Sequence, residues 1–341
     1  MMLSGSDRTR RCGGGTPPSR HSVRRPVLRA VRPILAPTNL GLRPLQSGKE
    51  PGAWQAPEVL MSAGLGKLLA SRPAPTLHRP AYSFKRQAGT SIRNGAEIRR
   101  YSDVLADAVA GTMETGAFPL VIGGDCSILL GCLLGARRHG RCGLIHVDGH
   151  SDFLHFDADL YRTPLSAAAG MDLALATGRG EPLLTRWPGD AWPLVRGHEV
   201  VQIGDREAGG SDDMLPATIR RIDVHAALRL GPRLVGHQVV THLHVQRIAR
   251  AWIHLDLDVL DERVMPAVDS PGQPGVDFGF LRAILGDLLR CSKIEGMNVT
   301  IYDPDHDPDR IYASGIVECL VDAFTDAGRF EACTPGALSH V

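Results

Sequence analysis

An apolar run of eighteen residues, the length that marks a membrane-spanning helix, occurs nowhere in this 341-residue chain, so no membrane partner is expected. Charge of one sign is missing too. The 38 Lys and Arg are matched by 37 Asp and Glu, for a net charge of +1. That balance leaves no basic face for a nucleic acid. Cysteine is sparse: seven residues, an odd number, spread from Cys12 to Cys333. Such a set makes no dense disulfide framework. Thiols such as Cys132, Cys291 and Cys319, in apolar or helical surroundings, read as reduced groups in a cytoplasmic protein. The head of the chain lacks acid. Residues 1–33 hold eight Arg and one acidic residue, Asp7, with no apolar segment of the kind a secretory signal requires. Residues 1–31 are therefore expected to form a basic, disordered extension, and 32–341 a single domain.

What is present is an apolar content of 43%, enough for a large core. Short apolar runs alternate with amphipathic segments. Ile34–Ala36, Pro119–Ile122, Gly143–Val147, Glu199–Ile203, Ala251–Leu255 and Met297–Tyr302 read as strands. Pro57–Leu69, a segment around Val104, Leu105, Ala108 and Val109, Ile128–Arg138 capped by Ser127, and Leu281–Leu289 read as helices. Leu40–Trp54, rich in Gly and Pro, reads as a loop. Near-continuous apolar strands between helices predict an α/β fold, a mostly parallel sheet covered on both faces.

The chemistry sits where the strands end. Asp148, Asp205, Asp256 and Asp303 each stand at, or within two residues of, a strand's carboxyl end. Open parallel sheets bind ligands in that crevice. Carboxylates gathered there repel one another unless a cation or proton compensates. In Asp148-Gly149-His150-Ser151-Asp152 two carboxylates flank an imidazole, and an extended chain would point all three the same way. In His254-Leu255-Asp256-Leu257-Asp258 the two carboxylates again would share a face. Carboxylate with imidazole suits Mn, Fe, Ni or Zn. Two such segments favour a site for two nearby metals. Taken singly, each also reads as a polar turn after a strand. Gly13-Gly14-Gly15 and Gly178-Arg179-Gly180 lack the continuation of a phosphate loop. His225, His237, His242 and His244 read as surface or satisfied histidines.

Gly123-Gly124-Asp125-Cys126-Ser127, Asp148–Asp152 and His254–Asp261 resemble, in order and spacing, the three metal motifs of the arginase (ureohydrolase) superfamily, with Pro266-Ala267 fitting the downstream Pro-Ala. The resemblance covers about residues 32–325. It implies a three-layer α/β/α fold and a site for two Mn(2+) ions, with Cys126, Asp148, Asp152 and Asp256 on one metal and Asp148, His150, Asp256 and Asp258 on the other. It implies hydrolysis of a C–N bond in a small guanidino or amidino substrate by metal-activated hydroxide, with Asp148, His150 and Asp256 in catalytic roles; Asp303 is added to them as a substitute for a family residue missing here. It also implies a homo-oligomer.

Several positions depart from the pattern. Cys126 stands where the family carries His, and a thiolate favours Zn or Fe. Either Cys126 ligates, aided by a helix N-terminus that lowers its pKa, or the first metal is weak, or it is absent. The family's shuttle His falls in Ser166-Ala167-Ala168-Ala169-Gly170, which has none, and His155 is a candidate substitute. Ile301 stands where a guanidinium-gripping Glu is expected, with Asp303 two residues on as its replacement. The loop Glu207–Asp213 matches poorly the segment that reads the amino-acid end of arginine. An N-hydroxyguanidino substrate therefore stays among the expectations. So does a catalytically degenerate protein with a binding or assembly role.

Overall fold

The computed structural model describes residues 28–69, 75–90, 92–153, 167–187, 189, 192–210 and 215–330. Its centre is a sheet of seven parallel strands: β1 (Val31–Ala36), β2 (Phe118–Gly123), β3 (Gly143–Val147), β4 (Val200–Ile203), β5 (Arg220–Ile222), β6 (Ala251–Asp256) and β7 (Ile294–Thr300). Their spatial order is β1-β2-β7-β6-β3-β4-β5. The chain jumps from β2 to β3, runs outward to β5, and returns to insert β6 and β7 in the gap. That reversal opens a crevice at the carboxyl ends of β2, β7, β6 and β3.

Alternation along each strand builds two cores. Leu120, Ile122, Ile145, Val147, Ile253 and Leu255 face one apolar cluster. Val121, Leu144, Val200 and Trp252 face the other. The first is covered by α1 (Ala56–Ser62), α2 (Leu65–Leu68), and four later helices, the second by α3 (Gly95–Glu114), α4 (Ile128–Arg137), α5 (Asp172–Ala176) and α6 (Pro182–Thr185). The later four are α7 (Val224–Leu230), α8 (Pro232–Val245), α9 (Phe278–Arg290) and α10 (Ile311–Ala327). The result is the three-layer α/β/α arrangement expected.

Four local expectations need correction. The segment 57–69 is not one helix: Gly64, at φ 109°, breaks it between α1 and α2. Ser127 does not cap α4, because its own backbone is helical and its side chain makes no capping bond. Its N–H is instead taken by Asp125 Oδ1 at 2.9 Å. Ordered contacts begin upstream of residue 32. Arg29 N–H donates to the Arg329 carbonyl at 2.9 Å, and its guanidinium donates to the Ala117 carbonyl. Strand β5 and helices α7 and α8 lie outside the elements expected. β5 has three residues, two of them Arg, and so shows no apolar run; the charges suit an edge strand. Residues 1–27 and 331–341, with Cys12 and Cys333, lie outside the described residues.

Candidate metal centre

The first two loops are shaped by close backbone approach. At Gly124 an added Cβ would lie 1.7 Å from the Thr38 carbonyl oxygen, so only glycine lets the loop after β2 pass the loop after β1. Asp125 Oδ1 accepts the N–H groups of Gly41 (3.1 Å) and Ser127 (2.9 Å), which ties those loops together. Gly204, at φ +101°, lets the loop after β4 approach the Asp148 carbonyl. Gln202 Nε2 then donates to the carbonyls of Asp148 (3.2 Å) and His150 (2.9 Å), fixing the turn after β3.

Asp148, His150 and Asp152 do converge with Asp256 and Asp258, but not along extended chain. The His150 N–H donates to Asp148 Oδ1 at 2.6 Å, a tight turn, and Asp152 has a left-handed backbone, φ 46°. Leu257–Val259 likewise form a short 3-10 turn in which the Asp258 N–H donates to Asp256 Oδ1 at 2.7 Å. Period-two alternation ends with the strands, and side chain–backbone bonds take over. His150 Nδ1 lies 2.9 Å from Asp258 Oδ2 and 3.8 Å from Asp148 Oδ1. Gly149 N–H reaches Asp258 Oδ1 at 3.1 Å, and Arg206 Nη2 holds the Asp258 carbonyl at 2.6 Å.

The carboxylates are buried and crowded together. Asp148, Asp152 and Asp256 are pushed well above the carboxylate range, by burial first and then by neighbouring carboxylates. Burial pushes Asp258 the same way, yet the His150 imidazolium and Arg206 hold it below its ordinary value. His150 rises to about 10, chiefly through the charge of Asp258. Asp148 Oδ2 is buried with no hydrogen-bond partner. Such atoms are costly unless satisfied. Potential ligand atoms of Asp148, His150 and Asp258 all lie within 4.8 Å of one another.

Cys126 corrects an expectation. Its thiol is pushed up rather than down: burial dominates, and Asp256, Asp172, Asp152 and Asp148 add to it. A helix N-terminus does not outweigh four carboxylates. The Sγ–H donates to Asp256 Oδ2 at 2.7 Å, with Thr300 Oγ1 at 3.3 Å.

Asp303 is also corrected. Ile301 has a left-handed backbone (φ 74°), so residues 301 and 303 do not share a strand face. Asp303 Oδ2 accepts the Gly52 N–H (3.0 Å) and Oδ1 the Asp305 N–H (2.9 Å). It anchors the loop before α1 and is not among the residues that line the cavity over Cys126 and Asp256. Ile301, a β-branched residue in a conformation such residues avoid, lines the cavity itself.

That cavity holds about 140 Å³ over Cys126, His150, Asp152, Asp256 and Asp258. Its wall brings in residues that sequence reasoning missed. Asp269 and Ser270 follow the Pro266-Ala267 pair, and Arg43 comes from the loop after β1. Burial pushes Asp269 up to about 6, with the Ser270 hydroxyl and Arg43 opposing. A lone acid soon after a metal motif was the available signal. Glu207 also lines the cavity, where its Oε2 accepts the Ser151 N–H (3.0 Å) and hydroxyl (2.9 Å). Ala169 sits in the wall with no imidazole. His155, Ser166 and Ser211–Asp213 lie outside the described residues.

The family model for the arginase family matches residues 42–324. The chain belongs to the arginase family. It is 32% identical over 195 residues to the arginase of Bacillus caldovelox, spanning 56% of this chain and 63% of that protein. The match to the Brevibacillus brevis arginase, 33% identical over 188 residues, covers 53% of this chain and 60% of that protein. These alignments span less than two-thirds of either arginase. Human arginase-1 is 25% identical over 268 residues, 74% of this chain and 80% of the human protein. The solved structure of Bacillus caldovelox arginase superposes with a TM-score of 0.75 at 26% identity, covering 87% of this chain and 98% of that one. Proclavaminate amidino hydrolase of Streptomyces clavuligerus shares the fold, with a TM-score of 0.66 at 18% identity, covering 90% of this chain and 94% of that one. Among the described residues, no helix of this arginase-family chain is long and apolar enough to cross a membrane.

Proposed function

We propose that this arginase-family chain is a metal-dependent hydrolase that cleaves a C–N bond of a guanidino or amidino compound, N-hydroxyguanidino compounds included. The observation that carries this reading is a cluster of carboxylates and one imidazole: His150, Asp152, Asp256 and Asp258 line one cavity, and Asp148 lies against His150 and Asp258. The donor set fits a pair of divalent cations. It is rich in carboxylate oxygen, it carries one imidazole, and it leaves Asp148 Oδ2 without a partner. Manganese is the metal that the family likeness favours. Two cations held there supply Lewis acidity and lower the pKa of water at neutral pH.

The chain's own residues do the rest. Asp148 and Asp256 are the carboxylates that would serve both cations, as the family likeness implies. Gln202 and Arg206 hold the ligand loops by their carbonyls, so the carboxylates are oriented before a cation arrives. Leu42, Ala169 and Ile301 form an apolar wall that excludes water from the reacting carbon. In the same lining, Asp269 offers a carboxylate to the N–H groups of a planar cation. A cavity of about 140 Å³ is small beside drug-sized pockets and suits a compact head group.

The test is a panel of guanidino and amidino compounds offered to the manganese-loaded protein, with urea and amine release followed. Turnover of one class, abolished in Asp256→Ala, is expected. A fully metal-loaded protein that turns over none of them contradicts the reading.

A further inference from the structure

Beneath the expected ligands lies a second polar layer to which the proposed reaction gives no role. His146 and His254 are register partners on β3 and β6, fully buried, with rings stacked at 4.7 Å. Asp172, the first residue of α5 and also fully buried, rests on both. His146 Nε2 is 3.1 Å from its Oδ1, and His254 Nε2 is 3.4 Å from its Oδ2.

The tautomer of His254 follows from its neighbours. Trp252 Nε1–H, a donor only, takes Asn298 Oδ1 at 2.8 Å. Asn298 Nδ2 therefore faces His254 Nδ1, at 2.7 Å, and donates to it. The neutral ring then carries its proton on Nε2, the atom that faces Asp172. The His254 Nε2–H faces Asp172 Oδ2 at 3.4 Å without completing a hydrogen bond, and the ring has no lone pair there for a cation.

Asp172 does have one. Its Oδ2 is buried and completes no hydrogen bond. One ligand atom from each of Cys126, Asp172 and His254 lies within 4.8 Å of the others, and the same holds for His146, Asp152 and Asp172. Asp172 thus reaches toward both Cys126 and Asp152, the two expected ligands that belong to the first metal alone. Meanwhile the Cys126 thiol spends its proton on Asp256 Oδ2.

We propose that Asp172, hydrogen-bonded to His146 and flanked by His254, ligates the first metal in place of the imidazole that Cys126 replaces, and that Cys126 stays a hydrogen-bond donor to Asp256. An oxygen donor there keeps the site suited to a hard cation such as Mn(2+), which a thiolate would not. The inference rests on the metal-site reading above.

The experiment is calorimetric titration of metal-free protein with Mn(2+), with metal content measured alongside, for wild type, Asp172→Asn and Cys126→Ser. Wild type is expected to bind two ions. Asp172→Asn should bind one, or hold the second more than about 100-fold more weakly, beyond the loss from removing a mere outer partner. Cys126→Ser should stay within about 10-fold of wild type. Should Asp172→Asn fail to fold, X-ray absorption on manganese-loaded wild type decides: an all-oxygen-and-nitrogen shell supports the proposal, and a sulfur neighbour overturns it. Two ions of unchanged affinity in Asp172→Asn overturn the proposal while leaving the two-metal site standing. No ion bound by wild type overturns both.

Discussion

The floor and the wall of the cavity follow different rules. On the floor, carboxylates are fixed by backbone N–H groups and strand-end turns: Asp258 by Gly149, Asp256 by Asp258, Asp148 by His150. On the wall, Leu42, Ala169 and Ile301 present apolar surface, and Asp269 and Arg43 bring charges from outside the three metal motifs. The floor crowds carboxylates that repel one another unless a cation or protons compensate. The wall chooses what is offered to it. The floor hangs on sheet topology and the wall on loops, which tolerate change more readily than the elements they join.

That contrast is sharpest when a floor ligand goes. Asp256→Ala should lower Mn(2+) affinity more than about 100-fold, exceeding what outer partners give, as read by calorimetric titration. Metal binding near wild type in that variant would erase the distinction. Next in size is the scaffold that sets the floor. In Gly124→Ala the new Cβ falls 1.7 Å from the Thr38 carbonyl oxygen. Overpacking of backbone, with no flexible tip to yield, is expected to cost about 3 kcal/mol in denaturant unfolding. A change below about 1 kcal/mol would mean the loop is looser than described.

The wall should answer differently. Ile301→Ala is expected to leave metal stoichiometry at the wild-type level and to shift KM across a guanidino panel by about 10-fold, the scale of a few pocket methylenes. Loss of metal in that variant would show that wall and floor are one unit. The smallest effect concerns Asp269. Its folded pKa is raised from 3.8 to about 6, so the folded protein binds this proton more tightly than the unfolded chain. The group's contribution to stability is full below about pH 4 and is lost as pH rises through about 6. Asp269→Asn should flatten that part of the stability profile measured by urea unfolding. An unchanged slope would place Asp269 in water.

Much of the floor was legible in the sequence, because strands of continuous apolar residues end abruptly in Asp148 and Asp256 and the ends of neighbouring parallel strands meet. The way these side chains converge was not. Extended geometry predicts a shared face, whereas Asp152 turns left-handed and Leu257–Val259 coil. Asp303 looked available for the same reason, until the positive φ of Ile301 redirected it. The Asp172 layer was hidden more deeply. A histidine inside each of two apolar strands is a visible anomaly, but their stacking depends on a register that pairs His146 with His254. Asp172 alone reads as the start of a helix. Strand β5 was missed because Arg220 and Arg221 leave no apolar pattern in three residues.

The central claim is that the floor is a two-metal site. The most direct test is metal content per chain after reconstitution of metal-free protein with manganese and removal of excess, by inductively coupled plasma mass spectrometry. The account predicts two equivalents per chain. A protein that retains none, while folded and with its thiols reduced, contradicts it.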